Sequence, residues 1–360
     1  MVVAGKLARR YTYRKVAARA FGERISKLVD TLIPLFAFGV LVAYMSILGD
    51  FLPPLIRLVL SKFGVENFDS FWYSRNFLLA ISTTIIVFPL CCLRNLEPLG
   101  FSSLLALVGV LITIGGICVL FVTKMVEFGF IDRLKEVVWF NFHYSVLKVI
   151  PIIGLAFSAH FSILRLYQEL HHRSVKRMFK VVDRAVSISF LCYLLCAVFG
   201  YMSFGSDTPS NLITAYEEGS FLGVMSMTCM ALVVAFSYPL LQFPIKQSVV
   251  LFSPPKWGPH LHYPLTILLF ILSYIGSILI SDLGTILGFL GSTVGVLTSF
   301  ILPPMMFLKL RKQDFGTVDH PQGQSKQAEF GVLGCYCCIA LGVFVGVVGF
   351  YLNVQDLRSA

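Results

Sequence analysis

The chain alternates between long apolar runs and short polar stretches. A helix that crosses a bilayer needs roughly 20 mainly apolar residues. Nine runs approach or exceed that length, at about 28–52, 76–93, 101–122, 149–166, 185–204, 221–243, 263–280, 283–308 and 330–351. They predict an all-α integral membrane protein. A basic cytoplasmic segment over 1–27 leads into one polytopic domain over 28–351 and a short tail over 352–360.

The fourth run stands apart. Residues 150–170, IPIIGLAFSAHFSILRLYQEL, are interrupted by Pro151, Gly154, Ser158 and His160 and end on Arg165, Gln168 and Glu169. Breakers are tolerated in a span only where the backbone is buried in protein or lines a cavity. In transporters, helices broken in this way hold the cargo near the membrane midplane. Gly154, Ala156, Phe157, Ser158 and Ala159 are therefore expected to form an unwound, substrate-binding backbone. Its carbonyls would accept from an ammonium group; an ordinary proline-kinked helix is the alternative. His160 is the ionisable residue in the middle of this run. An intramembrane ionisable group is costly, and histidine titrates near neutrality. A pH-sensing or proton-carrying role and a structural, hydrogen-bonded histidine both fit.

Composition narrows the class. The chain is 57% apolar and 13% charged, with a mean hydropathy of +0.81. Soluble domains carry about 25% charged residues. No soluble catalytic domain fits outside the apolar runs. No paired carboxylates, metal motif or nucleophile constellation lies within them, so an enzyme is not expected. With the N-terminus inside, 21 of the 29 Lys and Arg residues fall on the cytoplasmic side, as the positive-inside rule requires. Nine spans then put the C-terminus on the outer or lumenal side. The net charge of +10 reads as a topology signal beside anionic lipid rather than a nucleic-acid surface. The nine cysteines lie in or at the ends of spans, and no structural disulfide is expected. Cys91–Cys92 and Cys335, Cys337 and Cys338 read as small packing residues or as palmitoylation sites. The basic stretch 167–184 predicts an amphipathic helix along the membrane. Gly284, Gly288, Gly291 and Gly295 recur at helical spacing, which predicts close approach of a neighbouring helix.

Six motifs, in order, resemble the amino acid/auxin permease family, most of all its sodium-coupled neutral amino-acid transporter branch. They are FPLCCLRNLEPLGFSS (88–103), AFSAHFSILRLYQEL (156–170), RSVKRM (173–178), FGYMSFG with SNLI (199–205, 210–213), SYPLLQFPIKQSV (237–249) and LGTILGFLGSTVGVLTSFILPPMMFLKL (283–310). The resemblance implies a fold of two inverted repeats of five spans. YRKVAARAFGERISKLVD (13–30) is similar to the inner stretch before the family's third span, which implies a truncated version that begins after the second. In the family the first and sixth spans are both broken and together form the cargo site; residues 150–166 match the sixth.

Ser237 stands where the family's sodium-binding threonine lies. The resemblance implies that its hydroxyl, with the carbonyl of Val234, gives oxygens to a sodium ion. A serine bonded back to its own helix is the other reading. Sodium would be a coupling ion, and no other cofactor is expected. The function implied is secondary active transport of small neutral amino acids by alternating access, coupled to sodium or protons. The alternative is a transport-incompetent relative or an amino-acid sensor. The partners expected are an amino acid and membrane lipid, with no nucleic acid and no obligate protein. The membrane is the plasma membrane or an endolysosomal or vacuolar one.

Overall fold

The computed structural model describes all residues except 66–67, 69, 94–101, 130–136, 139–145, 161–162, 217–218, 253–259, 281, 316–324 and 360. Among the described residues every regular element is helical. In chain order they are α1 (Val2–Ala8), α2 (Tyr13–Phe21), α3 (Glu23–Lys62), α4 (Arg75–Cys91), α5 (Ser102–Phe128), α6 (Val146–Ala156) and α7 (Ile163–Glu169). There follow α8 (Val175–Phe204), α9 (Phe221–Phe252), α10 (His262–Leu279), α11 (Leu283–Leu290), α12 (Leu302–Phe315) and α13 (Ser325–Ser359). Among the described residues seven helices are long and apolar enough to cross a membrane, and α4 and α6 are shorter apolar helices. These elements coincide with the nine apolar runs.

Two features depart from the sequence reading. The stretch 167–184 is not one separate surface helix: its first three residues end α7 at Glu169, and 175–184 are the first turns of the 30-residue α8. The run 283–308 is not one α-helix. Between α11 and α12 the backbone is π-helical over Gly291–Gly295 and again over Leu297–Ile301. The Val296 amide donates to the Gly291 carbonyl, and the Leu302 amide to that of Leu297, five residues back in each case.

The chain divides into two compact units. Unit 1 comprises Met1–Phe36, Phe142–Ile188 and Leu287–Ala360. Its core is built on α12, where Leu302, Met306 and Leu310 recur every four residues and pack with Val16, Ala17 and Ala20 of α2. The small side chains of α1 and α2 allow this closeness: Ala4, Val16 and Ala17 are fully buried. α13 lies against the π-helical stretch and against α6 through glycines. A Cβ on Gly342 would stand 2.8 Å from the Phe300 Cβ, and one on Gly349 would stand 2.7 Å from the Pro151 Cγ.

Unit 2 comprises Ala37–Asn141 and Ser189–Ile286. Leu41, Met45 and Leu48 of α3 meet Leu79 and Val87 of α4 and Tyr238 of α9. Asp50 is fixed by two neighbours: Arg75 Nη2 at 3.0 Å on one oxygen and Asn211 Nδ2 at 3.0 Å on the other. The C-terminal end of α4 is held by basic groups. Lys246 Nζ donates to the Cys91 carbonyl at 3.0 Å, and His262 Nε2 lies 3.3 Å from the Cys92 carbonyl. Positive charge at a helix C-terminus is favourable. Cys91 is buried, which fits a packing role, whereas Cys337 and Cys338 are exposed.

Candidate functional site

The break expected in the fourth run is present, in unit 1. α6 stops at Ala156 and α7 begins at Ile163. Pro151 lies inside α6 and is buried; lacking an N–H, it removes one intrahelical bond. The last helical bonds run from the Phe157 amide to the Ile153 carbonyl (3.2 Å) and from the Ser158 amide to that of Leu155 (3.0 Å). The second reaches only three residues back, the tightening common at a helix C-terminus. Residues 158–160 then leave the helix.

Three polar side chains meet at this break. Ser158 Oγ lies 3.0 Å from His160 Nδ1 and 2.6 Å from Ser299 Oγ. Ser299 Oγ in turn lies 3.1 Å from the same ring nitrogen. Ser299 comes from the π-helical stretch Leu297–Ile301. On the other side, the Tyr13 ring meets the His160 ring edge-on, with centroids 5.9 Å apart. The Tyr13 hydroxyl donates to the Thr298 carbonyl at 2.9 Å. Tyr13 and Ser299 therefore clamp His160 from elements more than a hundred residues away on either side in sequence. Neither was identifiable from the sequence. Tyr13 lies in a basic stretch, and the signal for Ser299 was only its place before FILPP, since π geometry leaves no pattern in single residues.

A cavity of about 550 Å³ opens beside the trio, entirely within unit 1. Gly154, Phe157, Ser158, Ala159 and His160 line it. Ala156, the remaining residue of the expected set, sits exposed at the end of α6. Among its described lining residues none is Asp, Glu, Lys or Arg; the walls are apolar side chains such as Ile150, Val186 and Phe300. Gly154 leaves room for the Phe300 ring, whose Cε2 would lie 2.8 Å from a Cβ there. The break is also pinned from behind. A Cβ on Gly291 would stand 2.6 Å from the Pro151 carbonyl oxygen, so only glycine permits that approach.

The expected sodium ligands lie in unit 2. Val234 is buried and Ser237 partly buried on α9. The helix runs on unbroken through Pro239 and Pro244. Pro239 has no N–H, so the carbonyl four residues earlier, that of Ala235, loses its helical donor. Hydroxyl and carbonyl oxygens are the donors that a hard cation takes, and the Ala235 carbonyl is one more such oxygen on the same helix.

The profile of the family described as "Transmembrane amino acid transporter protein" matches residues 2–352. The chain is 29% identical over 368 aligned residues to "Amino acid transporter AVT6E" of Arabidopsis thaliana, with 97% of this chain and 72% of that one covered. It is 28% identical over 336 to "Sodium-coupled neutral amino acid symporter 2" of Danio rerio, covering 84% of this chain and 64% of that one. The chain thus spans less than two thirds of the second relative's length. With an all-helical fold, apolar helices of spanning length and a broken helix beside a cavity, the protein belongs to the family of transmembrane amino acid transporters.

Proposed function

We propose that this protein moves small neutral amino acids across a membrane by alternating access, driven by a sodium or proton gradient. The break at 157–160 is where it holds the cargo. The observation that carries the reading is the Ser158–His160–Ser299 trio, set in an otherwise apolar cavity without a charged side chain. Helix ends at the break supply backbone donors and acceptors suited to the charged groups common to all amino acids. No described lining side chain is charged, which suits a neutral cargo side chain, because an unpaired charge buried there would be costly. The name of the Danio rerio relative, a sodium-coupled neutral amino acid symporter, supports the same cargo class and, of the two gradients, sodium.

Reconstituted vesicles test this. Uptake of labelled L-alanine is expected to saturate and to collapse when both gradients are dissipated, with L-glutamate and L-lysine competing poorly. Ser158→Ala is expected to raise the KM for alanine about five- to tenfold, the net worth of one or two hydrogen bonds. Ser237→Ala is expected to weaken sodium dependence and leave any proton dependence intact. Alanine binding without flux would replace the transporter reading with a sensing one. Equal uptake of charged and neutral amino acids would overturn the cargo class.

A further inference from the structure

A second concavity in unit 1 is unlike the first in chemistry. It is an open groove of about 560 Å³ between α12 and α13, closed at one side by Phe21 of α2. On α12, Met305 and Leu308 are followed one turn later by Lys309 and Lys312. Positions spaced i, i+3, i+4 and i+7 share one helical face, so one stripe changes from apolar to cationic along its length. On α13, Val332, Tyr336 and Ile339 recur at the same spacing and form the facing wall. Arg311 adds a third cation to the lining, and no carboxylate lines the groove among the described residues. Lys309 and Lys312 are exposed.

The groove sits at the ends of two helices long and apolar enough to span, Leu283–Gln313 and Gly331–Arg358. Its apolar part lies toward the interior of those spans, and its cations lie at the end of α12. That is the polarity of a phospholipid: hydrocarbon along the span and phosphate at its end. Basic pockets between spanning helices on the cytoplasmic side recognise anionic headgroups in this way. We propose that this groove is a binding site for one anionic phospholipid, with its phosphate on Lys309 and Lys312 and an acyl chain against Met305, Leu308, Tyr336 and Ile339. The anionic class follows from the cations. A zwitterionic lipid brings its own positive group to a lining that, among the described residues, has three cations and no carboxylate to meet it.

Native mass spectrometry and thermal unfolding of the full chain in detergent test the site without reference to transport. The probes are phosphatidylglycerol and phosphatidylcholine of matched chains. Phosphatidylglycerol is expected to be retained in preference and to raise the unfolding temperature by roughly 3–5 °C. Lys309→Gln with Lys312→Gln is expected to weaken retention by about an order of magnitude. Lys176→Gln with Lys180→Gln, which removes two exposed lysines of α8, is expected to leave it unchanged. Ile339→Trp fills the apolar end with the charge intact and is expected to displace the lipid as well. Equal retention of the two lipids overturns the proposal. So does an equal loss in both lysine pairs, which would mean diffuse attraction to a basic surface.

Discussion

Asp282 shows how a single side chain sets the start of a helix. Its Oδ2 accepts from the Thr285 amide at 2.7 Å and from the Thr285 hydroxyl at 2.8 Å, capping α11. Burial alone would raise its pKa. The bonds from Thr285, aided by Ser210 and the Gly284 amide, outweigh burial and hold the carboxyl below its usual range. A depressed carboxylate stabilises the fold above its unfolded pKa of about 3.9, and that stabilisation is lost as pH falls through the lower folded value. Asp282→Ala is expected to cost about 1 kcal/mol at pH 7. The gap in unfolding temperature between wild type and variant is expected to hold down to about pH 5 and to close only below about pH 4. A gap that closes between pH 7 and 6 would assign it to a histidine instead.

At the scale of elements, two glycines make opposite demands. Gly291 faces the Pro151 backbone, where an added Cβ would stand 2.6 Å from an oxygen that cannot move aside. Gly115 of α5 has nothing within 4 Å of that position. Gly291→Ala is expected to lower stability by about 1–3 kcal/mol, as overpacking does. Gly115→Ala is expected to be neutral or to add about 0.5–1 kcal/mol, through helix propensity. Thermal unfolding of both variants decides this, and equal effects would refute the packing role of Gly291. The apolar runs located these elements well, because a span must be long and apolar whatever it packs against. The break was legible for a related reason: Pro151 and Gly154 are costly in a helix, and His160 is costly in lipid. What stayed hidden depends on contacts between distant residues. The burial of α1 and α2 rests on alanines such as Ala4 and Ala17, whose neighbours are set by tertiary packing. Their basic residues, from Lys6 to Arg19, mark the stretch only as a basic cytoplasmic segment. Ser299 needed the π-helical register to reach Ser158 and His160.

Across the whole molecule, neither unit is a continuous piece of chain. Unit 1 is assembled from three stretches and unit 2 from two. The cavity at the break draws on all three stretches of unit 1, from Met1 through Ser158 to Ser299, so it exists only once residues far apart in sequence have met. The π-helical stretch carries one more consequence. A turn closed five residues back holds about one residue more than an α turn. The span between α11 and α12 thus contains spare length, much as a sentence may hold a word that can be struck without harming the grammar around it. Deleting Leu297, a partly lipid-accessible position at 39% exposure, is expected to return one of these turns to α geometry with both flanks in register. Met306 would stay buried and the protein would stay monodisperse, while Ser299 would swing away from the break and uptake would fail. The same deletion in α5 has no such slack and turns everything after it by about 100°. If the two deletions unfold the protein alike, the reserve does not exist. If they differ, relatives with one residue fewer here could share the fold and lack the contact that Ser299 makes.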